Sequence, residues 1–407
     1  MTLALAATSL LGCTVTVTAR TRTAGTMPRP VLIAPTVAPP VIAPTVAPTM
    51  VPLPTLEPTP EPTTVPTLVR AVAPPAPAAQ VPITQPAAPV FPCPPPRNNP
   101  RPSYVAVNGP GPVLRPVIVQ IDNALPARPA LNLSRASTVF EYVAEGGVTR
   151  FSALFNEEDP GIVGPIRSAR LASIEIARQF EALLTYHGAS IGVQDRIWNG
   201  GIYFMSFNAV DSFSYHSRLP DRPVPHNSIT RLPDIRRYAA AHAVPLRVDD
   251  WPDYPRGDVL AAPAGAASRL SVGFAGPTGA PWPDYRADFR FVPETGRYLR
   301  STGGRDDIDG VTKQQISAAT VVVQVAPVIV TDIVEDVLGS LSLDYQLQGE
   351  GKALYFRDGQ YWEGCWRRTD PFAPTTFVGP DGNVFPLAKG PLWVAFASPN
   401  TPVTREA

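Results

Sequence analysis

The sequence predicts an α/β (or α+β) N-terminal domain plus a mostly β C-terminal domain, preceded by a disordered proline-rich stalk. Three observations carry that expectation. About half of the 52 prolines fall between Pro28 and Pro102, and a segment so poor in backbone donors cannot keep a helix or a sheet ladder paired. From Arg115 onward short apolar runs alternate with stretches of helical period, and after about residue 280 only strand-like runs between Gly-containing turns remain. The expected boundaries are 1–12 for a signal peptide, 13–105 for the stalk, 106–255 for the first domain, 256–280 for a link and 281–400 for the second domain.

The chain opens on Met1-Thr-Leu-Ala-Leu-Ala-Ala-Thr-Ser-Leu10-Leu11-Gly12-Cys13, the apolar core of a signal peptide and too short to span a bilayer as a helix. Leu10-Leu11-Gly12-Cys13 resembles a lipobox, which implies cleavage after Gly12 and a lipid on Cys13. No lysine or arginine precedes the apolar run, so the true start is expected upstream. The stalk that follows contains a near-repeat, Ile33-Ala-Pro-Thr-Val-Ala-Pro-Pro against Ile42-Ala-Pro-Thr-Val-Ala-Pro-Thr. Neither unit has a face to bury, so the repeat reads as a spacer. At ~3.1 Å per residue such a stalk reaches on the order of 200 Å when extended. Of the other two cysteines, Cys93 ends the stalk and Cys365 lies in the C-terminal half. Outside the cytoplasm they either pair or stay as two thiols, and the sequence leaves both open.

In the first domain, Arg115 to Asp122 reads as a strand running into an Asp-Asn turn. Two further runs, Thr138 to Ala144 and Val148 to Phe155, flank Gly146-Gly147 and predict a hairpin, the glycines supplying positive φ. Arg167 to Leu184 has Leu171, Ile174, Ala177, Phe180 and Leu184 at helical spacing, and Thr185 to Ser190 reads as a strand. Pro233 to Ala241 reads as a helix with proline in its first turn. In the second domain the expected strands are Arg286 to Val292, Thr320 to Val330, Lys352 to Arg357 and Leu392 to Phe396. Turns are expected at Asp358-Gly359 and Asp381-Gly382-Asn383.

Formal net charge is zero, so no nucleic acid partner is expected. The four histidines are scattered and the cysteines lack ligand spacing, so no metal site is expected. No Gly-x-Ser-x-Gly elbow, Walker loop or His-Glu-x-x-His motif is present, and the cofactor, if any, stays unknown. The most suggestive stretch is Gly161-Ile-Val-Gly164-Pro165-Ile-Arg167-Ser168-Ala-Arg170, running from a strand into a helix. Free N–H groups at a helix start and the guanidinium forks of Arg167 and Arg170, joined by Arg150 from the preceding strand, favour an anion. The plain alternative is a surplus of surface arginines in a chain with only three lysines. A second cluster, Ser217-Arg218-Leu-Pro-Asp221-Arg222-Pro-Val-Pro-His226-Asn227, is a polar rigid loop of the kind that carries function or simply turns, with Asn227 or Asp221 satisfying local backbone. Asp122, Glu141 and Glu145 are candidates for acid or metal-positioning work, with turn and hairpin chemistry as the simpler account of Asp122 and Glu145.

These same residues resemble a known family. Pro116-Val-Ile-Val-Gln-Ile-Asp122-Asn123, Ala127-Arg128-Pro129, Val143-Ala-Glu145-Gly146-Gly147-Val-Thr149-Arg150-Phe151, Val163-Gly164-Pro165-Ile-Arg167-Ser168-Ala169-Arg170 and Arg222-Pro-Val-Pro-His226-Asn227 are similar to the YerB-like lipoproteins. Gly296-Arg297-Tyr298-Leu299-Arg300-Ser301, with Asp309 and Val321 to Gln324 following, resembles that family's second domain, so the likeness covers most of residues 110 to 400. It implies a lipid-anchored envelope protein with two domains of unknown function. Two positions depart from the pattern: Ala136-Ser137 stands where Ala-Asp is typical, and Asp307-Ile308-Asp309 where His-x-Asp is expected. A more remote analogy, at fold level only, is to the LytR–CpsA–Psr phosphotransferases, whose turn arginine holds a pyrophosphate-linked lipid.

Three functions compete at this point. The first is an envelope module that binds an anionic wall polymer, glycan or lipid head group through Arg150, Arg167, Ser168, Arg170, Arg222, His226 and Asn227. The second is a scaffolding or regulatory lipoprotein docking another envelope protein. The third is an envelope phosphotransferase or hydrolase acting on phosphate or pyrophosphate esters, with Asp122 or Glu145 as base or metal-positioning group.

Overall fold

A computed structural model describes residues 92–98, 113–248, 254–274 and 285–407. Cys13, the signal peptide and the stalk as far as residue 91 lie outside the described residues. No helix among the described residues is long and apolar enough to cross a membrane.

The first domain is α/β. The buried run Val117–Asp122 forms strand β1, and Thr138–Val143 (β2) and Thr149–Phe155 (β3) make the expected hairpin, with Gly146 at φ 61° and Gly147 at φ 76°. After the short strand Ile162–Val163 (β4), helix α1 spans Leu171–Phe180, followed by β5 (Leu183–Tyr186), α2 (Ile191–Asn199), β6 (Ser206–Asn208), β7 (His216–Arg218), β8 (Ser228–Arg231) and α3 (Leu232–Ala241). The helix expected over 167–184 is therefore shorter at both ends. Residues 166–169 run extended because their backbone bonds elsewhere: Arg167 N–H to Gln120 O (2.9 Å) and Ala169 N–H to Gly188 O (3.0 Å). At the far end Glu181 adopts φ 45°, and Leu183 and Leu184 pair in parallel with Val117 and Ile118. The helical spacing of Leu184 is coincidental. The strand expected over 185–190 accordingly begins earlier, and α2 takes up the residues after Ser190.

The second domain is built of strands: β9 (Arg269–Val272), β10 (Ala287–Val292), β11 (Arg297–Thr302), β12 (Thr320–Val325), β13 (Val328–Val334), β14 (Leu341–Tyr345), β15 (Gly349–Arg357), β16 (Gln360–Arg368), β17 (Leu392–Ala397) and β18 (Val403–Glu406). The run expected as one strand over 320–330 is broken by Pro327, which has no N–H for a ladder. Asp358 (φ 54°) and Gly359 (φ 71°) close the β15–β16 hairpin as a two-residue turn with both φ positive. Part of the stretch expected as a link is ordered sheet: Gly265–Ala266 pairs with β16, and β9 pairs with β10 and β18, burying Leu270 and Val272.

One eleven-stranded sheet runs through both domains, in the order Gly265–Ala266, β16, β15, β12, β17, β2, β3, β1, β5, β6, with Thr376–Val378 paired to β16. The junction is the parallel pairing of β17 with β2, Leu392 opposite Thr138 through Ala395 opposite Glu141. A six-stranded sheet (Arg305–Asp306, β11, β10, β9 and β18, with Ser317–Ala318 on β11) shares one continuous buried cluster with it. The residues just before the first domain are fastened to the far end. Cys93 is disulfide-bonded to Cys365 (S–S 2.02 Å), Arg97 N–H donates to Gly382 O (2.8 Å), and Asn98 Oδ1 accepts from Val384 N–H (2.7 Å). Residues 92–98 are thus held structure, although the stalk was expected to continue to 105.

Candidate functional site

Alternation along β1, β2 and β3 divides their polar residues between two faces. In register, Asp122 faces Arg150 and Arg150 faces Tyr142, while Glu141 is paired with Phe151 one step along. Asp122 and Arg150 therefore belong to one network and Glu141 to another. The three candidate acids Asp122, Glu141 and Glu145 therefore do not form one group.

The first network is assembled by the Gly161–Arg170 turn lying across the end of β1. Asp122 N–H donates to Pro165 O (2.8 Å), and Gly164, at φ 151°, passes so close to β8 that a Cβ there would stand 2.9 Å from Ser228 O. Only glycine fits that approach. The turn thereby brings Arg167 and Arg170 beside Arg150. Arg150 donates to Asp122 (2.8 Å) and Glu145 (3.2 Å), and Arg170 pairs with Glu145 and lies 3.5 Å from Glu335. Arg167 Nε stands 3.3 Å from Asp122 Oδ2, and the same oxygen is 2.6 Å from His226 Nδ1. Arg150, Arg167 and Arg170 are matched by Asp122, Glu145 and Glu335, so the cluster is neutral within itself. Burial raises the Asp122 carboxyl, but Arg150, the Ala124 N–H, His226 and Arg167 together outweigh it and hold it below its ordinary value. Burial likewise opposes the ionised form of Glu145, yet Arg170 and Arg150 bring it down to about 2.

Exposure decides which members can meet a ligand. Asp122 and Arg150 side chains are 0% and 2% exposed and Arg170 7%, whereas Arg167 is 24% and His226 19% exposed. Buried ionic networks of this kind serve geometry more than stability. Here the geometry it fixes is that of Arg167 and His226, both braced on Asp122 at the carboxyl end of β1. That edge continues along the parallel strands β5 and β6, the place where open α/β sheets bind ligands. With Asp122 ionised and accepting, His226 carries its proton on Nδ1 and leaves Nε2 for an outside partner. This is the arrangement of an acid- or base-capable imidazole.

The other expected residues are nearby but occupied. Ser168 Oγ donates to His187 O (3.2 Å). Asn227 Oδ1 accepts from Arg218 (2.7 Å), whose other terminal nitrogen is 3.2 Å from His187 Nε2. Burial, with Arg218 and His216, lowers His187 to about 4, so it accepts from Arg218 as a neutral ring. Arg222 does not join the Asp122 cluster; it donates to the backbone oxygens of Ala127 (2.5 Å) and Pro129 (2.9 Å) and pins that loop.

The second network, on the opposite face, was not anticipated as a unit. Glu141 is 0% exposed; both of its carboxylate oxygens accept from Arg300 Nη2 (2.7 and 2.8 Å), and it also accepts from Thr149 Oγ1 (3.0 Å) and from Trp393 Nε1 (3.0 Å). Arg300 also pairs with Asp307 and lies over the Trp393 ring at 4.6 Å. Burial pushes the Glu141 carboxyl up, while four hydrogen bonds aimed at its oxygens favour the ion. Asp307 is thus a partner of Arg300. Asp309, fully buried, accepts from the backbone of Asn132 and Ser134 and from the Ser134 hydroxyl, fastening the second domain to the loop before β2. Ser137 bonds Leu154 O and Asn156. No cluster of metal-ligating side chains occurs among the described residues.

Glu335 and Arg300 could not be assigned partners beforehand, because the acid or base each meets lies in the other domain. The resemblance motif containing Arg300 was the one available signal.

Comparison with known proteins agrees with this architecture. The family described as "Protein of unknown function (DUF3048) N-terminal domain" matches residues 108–245, and its C-terminal domain counterpart matches residues 280–394. A curated relative, named "Putative lipoprotein YerB" from Bacillus subtilis (strain 168), is 28% identical over 282 residues, 69% of this chain and 80% of its own length. The crystal structure of Bacillus subtilis YerB superimposes with a TM-score of 0.61 at 25% identity, covering 72% of this chain and 94% of that one. With both domains matched in order and the fold shared, the chain belongs to the YerB-like family of paired DUF3048 domains.

Proposed function

We propose that this chain is an envelope lipoprotein, anchored through a lipid on Cys13 and lifted from the membrane by its proline-rich stalk, whose first domain binds an anionic envelope ligand. The name of the YerB relative and the lipobox-like Leu10-Leu11-Gly12-Cys13 support the anchor. The Cys93–Cys365 disulfide supports an oxidising compartment. The observation that carries the ligand reading is the bracing of Arg167 and His226 on one buried carboxylate. Arg167 meets Asp122 through its Nε, and its two terminal nitrogens make no hydrogen bond among the described residues. Arg150 and Arg170 act behind it as positioning residues. A phosphate or carboxylate of a wall polymer would take the Arg167 fork and the outer nitrogen of His226. The test is binding of the full chain to isolated anionic wall polymer and to inorganic pyrophosphate at low and high salt. Arg167→Ala is expected to weaken binding at least tenfold with the melting temperature unchanged. Absence of binding by the unaltered protein at every salt concentration would refute the reading.

A second reading, a docking lipoprotein, draws on the tip of the β13–β14 hairpin. Val337 and Leu338 are fully or nearly fully exposed there, and Glu335 at the hairpin's base reaches Arg170. Cross-linking from position 338 in intact envelopes separates the two readings.

A further inference from the structure

On the other side of Asp122 a cleft of about 370 Å³ opens between the two domains. Its floor is apolar, with Leu125, Leu133 and Phe151 from the first domain and Ile308 and Ile316 from the second. Its charged rim is uneven. Asp122 is taken by Arg150, and Asp307 is taken by Arg300 and by Thr302 Oγ1 at 2.7 Å. That leaves Arg128 and Arg305 against Asp306, which accepts only from the Ser301 hydroxyl. Arg305 makes no ion pair or side-chain hydrogen bond among the described residues. Arg128 is held by its Nε on Asn123 O (3.1 Å) and Asn123 Oδ1 (3.0 Å) and by its guanidinium lying over the Tyr285 ring at 5.5 Å, while its Nη2 is buried with no hydrogen-bond partner. A buried donor left unmade is unfavourable by about 1–3 kcal/mol, so such atoms point to a use. The loop carrying Arg128 is fixed from outside by Arg222, which explains that arginine's place in the fold.

We propose that this interdomain cleft is a second binding site, for a small amphiphilic anion whose phosphate or carboxylate head meets Arg128 and Arg305 while its aliphatic body lies on the apolar floor. The volume is at the lower end of the range that holds compact organic ligands, about 300–1,000 Å³. The site does not depend on the Arg167 reading, since neither Arg167 nor His226 lines it. Because Arg128 belongs to one domain and Arg305 to the other, occupancy would also tie the two together.

The experiment titrates the full chain, by calorimetry, with octyl phosphate, inorganic phosphate and n-octanol, and by co-sedimentation with phosphatidylcholine vesicles containing phosphatidic acid. Octyl phosphate is expected to bind at least tenfold more tightly than phosphate or octanol alone, because head and body are both used. Arg128→Ala and the exposed Arg305→Glu should each weaken octyl phosphate at least tenfold, both measured in an Arg167→Ala background so that phosphate held by the first site is not counted. If Arg128→Ala lowers the melting temperature, Arg305→Glu alone decides. Vesicle binding that falls in the same two variants identifies a lipid head group as the source, whereas monomer binding without vesicle binding identifies a free amphiphile. Equal binding of phosphate and octyl phosphate, or octyl phosphate binding indifferent to both cleft variants, would overturn the proposal.

Discussion

Replacing Arg300 by methionine is the sharpest test of how the two domains are joined. Methionine keeps most of the apolar contact with Trp393, Phe151 and Phe289 but removes the charge that faces Glu141. Glu141 is completely buried and would keep only Thr149 and Trp393 as donors. Breaking a buried pair by removing one partner destabilises by about 3–5 kcal/mol, since it strands a charge without solvent. With a urea m-value of about 2–3 kcal/mol/M for a domain of this size, the midpoint should fall by roughly 1–2 M. The double variant Glu141→Gln/Arg300→Met removes both charges of the fully buried pair, leaves the amide oxygen to accept from Thr149 and Trp393, and leaves Asp307, the partly exposed third member, with Thr302 Oγ1. It should recover most of the loss, as paired replacements of buried ions commonly do. Burial already pushes Glu141 up, so in the single variant the carboxyl would take up a proton as pH falls and the deficit against the unaltered protein should shrink. The assay is equilibrium urea unfolding followed by tryptophan fluorescence and circular dichroism. A single variant within about 1 kcal/mol of the parent, or a double variant as unstable as the sum of the two singles, would refute the reasoning.

Three further outcomes concern pH and redox state. Glu145 is held at about 2 against an ordinary 4.5, so the stability it contributes is complete above about 4.5 and is lost as pH falls toward 2. The amount is on the order of 3 kcal/mol, and Glu145→Gln should flatten stability across that window in acid titrations followed by circular dichroism. His187, lowered to about 4 from 6.5, adds a loss that begins below 6.5; its ring protons should stay in the neutral position in NMR spectra until pH approaches 4. Reduction of Cys93–Cys365, which closes a loop of 272 residues, should lower stability by about 2–5 kcal/mol. It should also expose residues 92–98 to proteases, and unchanged cleavage after reduction would contradict the clamp.

Local features of the fold were legible because they are set by neighbours in sequence. The β2–β3 hairpin follows from Gly146-Gly147, the β15–β16 hairpin from Asp358-Gly359, and α3 from a proline in its first turn. The limits of α1 were not, since Leu184 keeps the helical period while its backbone bonds are claimed by β1. The convergence of Arg150, Arg167, Arg170 and His226 could be suspected from residue type and turn chemistry. Their neutralisation could not, because Glu335 comes from the hairpin of the other domain.

By itself the sequence determined the two Gly-containing hairpins, the lipobox-like start, the proline-rich composition that follows it, the two-domain class and the family. Each of these depends on composition, period or motif within a few dozen residues. Only the tertiary structure decided that one sheet runs through both domains, that Cys93 joins Cys365, and that Arg300 meets Glu141 across 159 residues. Nothing in a chain of many arginines and acids marks which charge will be buried with which. That choice is made when strand pairing between β17 and β2 brings the two domains' faces together, and it leaves Arg167, His226 and Arg128 with unclaimed nitrogens.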